Sequence, residues 1–306
     1  MSAASQVHAT SATLAYLVSD VRIPFWDILR RGVETQATGL GYRVLTYSAE
    51  NDARKELDLA AQAIRERVDG IVISPTQSAA AVTVLRMART ARIPVVIADI
   101  GADEGEYVSY IASDNRTGSY QIGKVLVQAL QARQWHNGSV GIIAIPQKRV
   151  NGQARTAGFM QALEEAGIRG AGLRQQLNFS YQETYDFARE LIATAPNLRA
   201  LWLQGSDRYQ AALDAIAAAG RQNQVFLVCF DAEPAFLDLI PRGILVGAAM
   251  QQPFLMGEKA VEALHLHRLG RSVERHQQLP ILAVSAETLK QQLPLIRRNV
   301  LGLEHR

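Results

Sequence analysis

The chain contains VVIAD at residues 95–99 and VFLVCFD at residues 225–231, two short apolar runs that each end in an aspartate. Runs this short and this apolar are typical of strands that are buried on both faces of a parallel sheet. Ligands of open α/β sheets bind beyond the carboxyl ends of such strands. We therefore expect two sheets that present Asp99 and Asp231 to one cleft. Because an ionised carboxylate accepts several hydrogen bonds, this cleft suits a neutral ligand rich in hydroxyl groups.

On either side of these runs, strand-like and helix-like segments alternate in two similar series. In the first series, strands are predicted at 14–18, 42–47, 70–73 and 94–98. After Asn115 the pattern restarts, with strands predicted at 140–145, 173–177, 200–203 and 225–230. Such alternation with amphipathic helices is typical of βαβ units. The predicted fold class is therefore α/β, with two Rossmann-like lobes whose parallel sheets are flanked by helices.

The segments that follow Asp231 are too few for a third lobe. They comprise a helix, a strand at 245–250, a long helix at 254–269 and a last strand near 281–284. We expect them to complete the two sheets already begun, so the chain crosses between the lobes more than once. Several crossings make a hinge rather than a simple linker.

Composition and charge narrow the class of protein. The 306 residues are 48% hydrophobic and 20% charged, values typical of a globular protein that is long enough for two cores. The net charge is only +3, and the Lys and Arg residues are scattered, so nucleic acid is not an expected partner. The single cysteine, Cys229, falls inside an apolar run and is predicted to be a core residue.

The sequence also carries little sign of a membrane or export segment. No apolar stretch is long enough to cross a bilayer. Residues 1–13 have neither the basic start nor the apolar core of a signal peptide. We expect either a cytosolic protein or a chain that begins at a mature terminus.

Three side chains near predicted helix starts have both a binding and a structural interpretation. Phe25 and Trp26 follow the first strand, where they can anchor the core or stack on the C–H face of a sugar. Arg155 lies close to the start of a later helix. It can be a solvated helix residue, or its planar guanidinium can bind a ring oxygen and a hydroxyl together.

The residues at strand ends also have alternative interpretations. Asp99 is followed by no helix, so its alternative to ligand binding is a place in a surface turn. Asp231 precedes Glu233 and Pro234, a typical helix start, so it can instead cap that helix. Gln251 stands where a strand leaves its sheet, and it is either a ligand-binding residue or a turn residue.

Motifs for catalysis, cofactors and metals are not found. Gly39-Leu40-Gly41 leads into a strand rather than a helix, so it does not form a dinucleotide-binding loop. Ser206 lacks the following glycine of a nucleophile elbow. His265 and His267 lie two residues apart on a predicted helix and cannot face one ion together. We expect no cofactor, no metal site and no enzymatic activity.

Several stretches, taken in order along the chain, resemble the type I periplasmic binding proteins of sugar transport, most closely the ribose-binding group. The resemblance runs from about residue 14 to about residue 285. It is carried by Leu17-Val18-Ser19 through Pro24-Phe25-Trp26, Ile73-Ser74-Pro75-Thr76, Ile93-Pro94-Val95-Val96 through Asp99, Ile111-Ala112-Ser113-Asp114-Asn115, Arg155 with Gly158-Phe159, Phe230-Asp231, and Gln251 with Pro253.

The resemblance implies a fold of two lobes joined by three hinge strands that close over a ligand. The N-terminal lobe would comprise residues 1–113 and 252–281, and the C-terminal lobe residues 114–251 and 282–306. The implied ligand-binding residues are Ser19, Phe25, Trp26, Asp99, Ser113, Arg155, Phe179, Asp231 and Gln251. Among them the aromatic rings would stack on the sugar, while the charged and amide groups would bind its hydroxyls and ring oxygen.

Three positions depart from the pattern of the ribose group. Ile23 and Gly205 stand where that group commonly has asparagine, and Ile100 stands where an arginine often follows the strand-end aspartate. Three polar contacts are therefore missing. The departures argue against ribose itself and for a larger, less hydroxylated or chemically different ligand.

The leading hypothesis is a periplasmic, non-enzymatic solute-binding protein, which captures a monosaccharide by hinge closure and delivers it to the membrane permease of an ABC transporter. We expect it to act as a monomer. One alternative is a sensor whose closed form binds a membrane receptor. Another is the effector-binding domain of a lactose-repressor-type regulator, although thirteen residues before the first strand are too few for a DNA-binding headpiece. The terminal residues 293–306 are predicted to be solvated, with a docking or juxtamembrane segment as the alternative.

Overall fold

The computed structural model describes residues 12–303, in which strands and helices alternate as the sequence predicts. Residues 1–11, which carry most of the expectation about a signal peptide, lie outside the described residues. The first series consists of β1 (Thr13–Val18), α1 (Pro24–Gly39), β2 (Arg43–Ser48), α2 (Ala53–Arg65), β3 (Gly70–Ser74), α3 (Ser78–Thr90), β4 (Val95–Ala98) and β5 (Ser109–Ser113).

The second series begins directly after β5 and is followed by the surplus elements. It consists of α4 (Asn115–Ala132), β6 (Ser139–Ala144), α5 (Val150–Glu165), β7 (Arg169–Gln175), α6 (Tyr181–Thr194), β8 (Leu198–Leu203), α7 (Tyr209–Ala218), β9 (Phe226–Phe230), α8 (Phe236–Leu239) and β10 (Gly247–Met250). The surplus elements are α9 (Pro253–Arg268), β11 (His276–Leu279), β12 (Leu282–Ser285), α10 (Leu289–Leu295) and a π-helical turn (Ile296–Val300).

These elements form two six-stranded sheets, one in each lobe. The N-terminal lobe has the strand order β11-β5-β4-β3-β1-β2, and the C-terminal lobe has β12-β10-β9-β8-β6-β7. Helix α9 packs against α1 and against β4 and β5, so it belongs to the N-terminal lobe. The chain therefore passes between the lobes three times, after β5, after β10 and after β11. The predicted α/β class and the two-lobed architecture are confirmed.

The C-terminal sheet is not wholly parallel, which corrects one part of the prediction. β12 pairs antiparallel with β10, whereas β10 pairs parallel with β9. The reason is the third crossing, where β11 is joined to β12 by Pro280 and Ile281 alone. A strand that runs toward the hinge in one lobe must run away from it in the next. The preceding strands of the second sheet all run toward the hinge.

Both lobes have cores on the two faces of their sheets. In the N-terminal lobe, Leu14–Val18 of the first strand are all buried. Helices α1 and α9 approach closely because Gly32 has no side chain, and a Cβ atom there would overlap the carbonyl oxygen of Phe254. In the C-terminal lobe, Cys229 is fully buried as predicted.

The described residues include no helix that is both long and apolar enough to span a membrane.

Part of the terminal segment is buried, so the prediction of a solvated terminus is wrong for Ile296 and for residues 299–302, whereas Arg297 is exposed. Ile296, Val300 and Leu301 pack in the core of the C-terminal lobe. The same segment contacts the N-terminal lobe, where Arg31 donates to the carbonyl oxygens of Leu301 at 3.1 Å and Gly302 at 2.8 Å. The segment thus joins both lobes beside the hinge, and residues 304–306 lie outside the described part.

Candidate ligand-binding cleft

A cleft that is partly open to solvent lies between the carboxyl ends of the two sheets. Eight of the nine residues predicted to bind ligand line it: Ser19, Phe25, Trp26, Asp99, Arg155, Phe179, Asp231 and Gln251. The loops that follow parallel strands therefore converge as the strand-end argument requires.

Asp99 and Asp231 occupy equivalent positions in the two lobes. Each directly follows a central strand and has a left-handed backbone, with φ of 70° for Asp99 and 68° for Asp231. The amide of Asp99 donates to the carbonyl of Ile111 at 2.9 Å, and that of Asp231 donates to Ala249 at 2.8 Å. Aspartate is one of the few non-glycine residues that tolerate this conformation. Both strands therefore end in the same turn at the cleft.

Asp231 belongs to a buried polar cluster with Gln251 and Arg155. Gln251 Nε2 donates to Asp231 Oδ1 at 2.6 Å, and the other carboxylate oxygen lies 3.9 Å from a guanidinium nitrogen of Arg155. Helix α8 begins only at Phe236 and has no side-chain cap. The capping role considered for Asp231 is therefore excluded, and its carboxylate faces the cleft.

Arg155 is buried at 3% exposure, so the alternative of a solvated helix residue is wrong. It donates to Asn115 Oδ1 at 2.8 Å and to the carbonyl of Gln204 at 2.9 Å. Its guanidinium lies 3.8 Å from the centre of the Phe230 ring. Helix α5 starts at Val150, three residues earlier than predicted, which places Arg155 in the second turn.

Asp99 has an unsatisfied acceptor. It is 3% exposed, and its Oδ1 atom has no hydrogen-bond partner among the described residues. Burial raises the pKa of Asp99 to about 6, against the lowering effect of Arg155, while Asp231 raises it further and Arg149 lowers it. Burial likewise raises the pKa of Asp231. Burying an acceptor without a hydrogen-bond partner is costly. We therefore expect a donor group of the ligand to form a hydrogen bond to Asp99 Oδ1.

The aromatic residues combine core and cleft roles. Phe25 and Trp26 meet edge to face, with ring centres 4.9 Å apart and an interplanar angle of 86°. Trp26 is buried in the core of the N-terminal lobe and also lines the cleft. From the opposite lobe, Phe179 is fixed by its amide, which donates to Glu183 at 2.8 Å, and by its carbonyl, which accepts from Arg208 at 2.8 Å.

Ser113 is the one predicted residue that the structure does not bring to the cleft lining. It ends β5 at the first crossing, and its hydroxyl is buried without a hydrogen-bond partner. Its carbonyl accepts from Asn115 Nδ2 at 3.0 Å, and Asn115 in turn contacts Arg155. Ser113 therefore lies inside the hinge and affects the site indirectly. Its carbonyl binds the side chain of Asn115, and Asn115 in turn accepts from Arg155, which lines the cleft.

Several polar residues of the cleft lining are not predicted from the sequence: Asn51, Arg149, Asn151, Gln204, Ser206, Asp207 and Glu233. Gln204 follows β8 directly and has the signal that selected Asp99 and Asp231. Glu233 lies two residues beyond Asp231 and accepts from the Ser206 hydroxyl at 2.7 Å. Arg149 lies in a loop with no local pattern that marks a site.

The charges of the lining make the cleft rich in acceptors. The lining contains two arginines and four acidic side chains, which are Asp99, Asp207, Asp231 and Glu233. Burial is the largest influence on each of these carboxyls and raises its pKa. Across residues 12–303 no group of His, Cys, Asp and Glu has the arrangement of a metal site. The cleft is therefore suited to a ligand that donates hydrogen bonds.

Two helix-flanked sheets that face one cleft across a triple crossing define a two-lobed ligand-binding protein. The pattern of the periplasmic binding protein domain family matches residues 14–272. The chain belongs to this family, and the resemblance to its type I sugar-binding group is confirmed.

Two relatives agree with this assignment, and a solved structure shares the fold. The chain is 28% identical over 272 residues to the ribose import binding protein of Haemophilus influenzae, covering 89% of this chain and 91% of that protein. It is 29% identical over 266 residues to the ribose import binding protein of Escherichia coli K12, covering 86% of each chain. In fold it is similar to a carbohydrate transporter solute binding protein from Agrobacterium radiobacter in complex with D-arabinose, with a TM-score of 0.86, 22% identity and coverage of 95% and 99%.

Proposed function

We propose that this protein is an extracytoplasmic solute-binding protein that captures a monosaccharide in the cleft and delivers it to an ABC transporter. The observation that carries the proposal is the pair of equivalent strand-end aspartates, one from each lobe, beside aromatic rings in a single cleft. The relatives named as ribose import binding proteins support the same role. The protein itself performs no chemical step.

The proposed binding roles follow from the chemistry of the side chains. Asp99 and Asp231 accept hydrogen bonds from sugar hydroxyls, while Arg155 and Gln251 bind oxygens of the ring and its substituents. Phe25, Trp26 and Phe179 cover the C–H faces, and Ser19 contributes a polar edge. Each charge-assisted hydrogen bond is worth about 1.5–3 kcal/mol, and micromolar affinity requires about 8 kcal/mol. Three such bonds and the burial of the rings supply enough free energy.

The apolar part of the lining narrows the sugar class. Ile23, Ile100 and Ile145 line the cleft beside the aromatic residues. A hydroxyl placed against these side chains would lose its hydrogen bonds to water without replacement. We therefore infer a sugar with fewer hydroxyl groups on one side than ribose, or a larger one whose apolar face lies there.

Capture requires that the lobes close, because the contacts come from both. The three crossings at 113–115, 250–253 and 279–282 make the hinge, and we retain the proposed lobe boundaries of 1–113 with 252–281 and 114–251 with 282–306. We further propose that the protein acts as a monomer in the periplasm and that its closed form is recognised by a membrane permease.

The test is calorimetric titration with a panel of pentoses, hexoses and deoxy sugars, preceded by native mass spectrometry for a co-purified sugar. We expect at least one panel member to bind with micromolar or tighter affinity. Asp231→Ala should weaken that binding about tenfold or more. Asp238→Ala is the matched control, since Asp238 is exposed in the same lobe and outside the cleft. Equal affinity of Asp231→Ala and the parent would refute the cleft assignment.

A further inference from the structure

Arg149 connects the two lobes across the cleft. It directly precedes helix α5 of the C-terminal lobe and lines the cleft. One of its terminal nitrogens donates to the carbonyl oxygen of Thr76 at 3.3 Å. Thr76 belongs to the loop between β3 and α3 of the N-terminal lobe. This hydrogen bond therefore exists only while the lobes are close together.

The Thr76 carbonyl is a well-positioned acceptor. Thr76 is 1% exposed, and its amide donates to Glu56 Oε2 at 2.7 Å. Glu56 lies in α2 and is itself 1% exposed. The buried Glu56 carboxylate thus holds the loop between β3 and α3 in place, so Arg149 binds a rigid part of the opposite lobe.

Most of the donors of Arg149 remain free for a ligand. A guanidinium has five N–H donors, and Thr76 is its one hydrogen-bond acceptor within residues 12–303. Asp99, in the opposite lobe, presents its unpartnered Oδ1 to the same cleft. Free donors of one lobe and a free acceptor of the other therefore face the same space.

We propose that Arg149 is a ligand-binding residue of the closed form, with one sugar hydroxyl donating to Asp99 Oδ1 and accepting from the Arg149 guanidinium. A hydroxyl is suited to this place because it is at once a donor and an acceptor. The bond from Arg149 to Thr76 then couples ligand binding to closure. This inference rests on the proposed function and adds a specificity residue to it.

The planar guanidinium is essential to this arrangement. It can bind Thr76 with one edge and the ligand with another, whereas a lysine ammonium is a compact point charge that cannot span both acceptors in the same way. A sugar that lacks the bridging hydroxyl leaves Asp99 Oδ1 without a partner and the remaining donors of Arg149 unused, and sites of this kind discriminate strongly against such analogues. Arg149 thus selects for a hydroxyl at one position of the ligand.

The experiment compares Arg149→Met and Arg149→Lys with Lys148→Met, titrated calorimetrically with the tightest-binding sugar of the panel. Lys148 is the matched control because it is exposed in the same loop, carries the same charge and does not line the cleft. We expect Arg149→Met to weaken binding about ten- to a hundredfold. Arg149→Lys should weaken it less, and Lys148→Met should remain within twofold of the parent.

A pH series distinguishes a ligand-binding role from a merely structural one. The charged groups that shift the pKa of Asp99 are Arg155, Asp231 and Arg149 of the C-terminal lobe. In its own lobe Asp99 faces Tyr16 and Tyr110, and its charge raises the pKa of both phenols. Binding should weaken as Asp99 is protonated at acidic pH. Without the positive charge of Arg149, this loss should move to higher pH in Arg149→Met, but not in Lys148→Met.

Three results from the variants would overturn the inference. One is an Arg149→Met affinity within threefold of that of Lys148→Met, and another is an acid limb at the same pH in both variants. If Arg149→Met does not fold, Arg149→Lys replaces it, and parental affinity there overturns the inference. Failure of the proposed function is a separate result, since it shows as a parent protein that binds no sugar, and it overturns this inference as well.

Discussion

Replacing Asp99 by asparagine should stabilise the ligand-free protein at neutral pH and weaken sugar binding. The side chain is 3% exposed, and one of its oxygens has no partner among the described residues. Asparagine has nearly the same shape but no charge, and it tolerates the left-handed backbone that Asp99 adopts with φ of 70°. The substitution therefore removes the buried charge without adding backbone strain.

The magnitude follows from the pKa of Asp99, which burial raises from 3.8 to about 6. The difference of about 2 pKa units corresponds to about 3 kcal/mol at about 1.4 kcal/mol per unit. This is the free energy by which folding disfavours the ionised form. The neutral asparagine side chain carries no such penalty, so the free energy of unfolding should rise by up to about 3 kcal/mol at pH 7.5.

The effect should depend on pH in a defined direction. Because the folded state binds the Asp99 proton more tightly than the unfolded state, the parent gains stability as the pH falls from 6 to 3.8. The variant lacks this gain. Its advantage should therefore be complete above pH 6, shrink to about 1 kcal/mol at pH 4.5 and disappear below pH 3.8.

The assay is urea unfolding of the ligand-free proteins at pH 7.5 and 4.5, with sugar affinity measured on the same samples. Asp103→Asn is the control, because Asp103 is exposed four residues further along the chain. Sugar affinity of Asp99→Asn should fall about tenfold, since a neutral acceptor replaces a charged one. A variant that is less stable than the parent at pH 7.5, or a stability difference that is the same at both pH values, would refute the reasoning.

Three further substitutions test packing and charge elsewhere. Gly32→Ala should lower the free energy of unfolding by about 1–3 kcal/mol, because its Cβ would overlap the Phe254 carbonyl, whereas Gly39→Ala has free space and should cost nothing; urea midpoints measure both, and equal midpoints would contradict the packing argument. Arg298→Met should cost more stability than Arg242→Met, because the Arg298 pair with Glu258 is half-buried and the Arg242 pair is exposed; thermal melts that rank them in the opposite order would exclude this role for the terminal segment. Arg155→Met should cost about 3–5 kcal/mol and abolish detectable sugar binding, because it leaves Asp231 charged without its cation; parental calorimetric affinity would show that Arg155 does not contact the ligand.

Local pattern was sufficient for the elements and for much of the site. Strands buried on both faces, such as β4 and β9, need continuous apolar runs, and the helices between them need an apolar stripe. Because ligands bind at the carboxyl ends of parallel strands, the position of Asp99 and Asp231 in the chain already placed them at a cleft. Gln204 could have been found by the same rule.

The features that sequence reasoning missed depend on contacts between distant segments. β5 and β11 are too polar for the sequence pattern to predict strands there, yet they pair with each other through residues 110–113 and 276–279. The sequence predicts a solvated terminal segment because its leucines and arginines form no pattern by themselves. They are buried or paired only because α1 and α9 pack against them. In these cases the stabilising free energy comes from packing and pairing with segments that are distant in the chain, and a short stretch of sequence does not show which segments those are.

The sequence by itself determined the two-lobed α/β architecture, the family resemblance and the strand-end carboxylates, since each rests on periodicity and on the neighbours of a residue in the chain. Only the tertiary structure decided that Ser113 stays inside the hinge while Arg149 reaches the opposite lobe. Asp99 shows both contributions, that of the sequence and that of the tertiary structure. Its position followed from the apolar run before it, but its raised pKa and its free oxygen arise from burial between two lobes that the chain brings together only on folding.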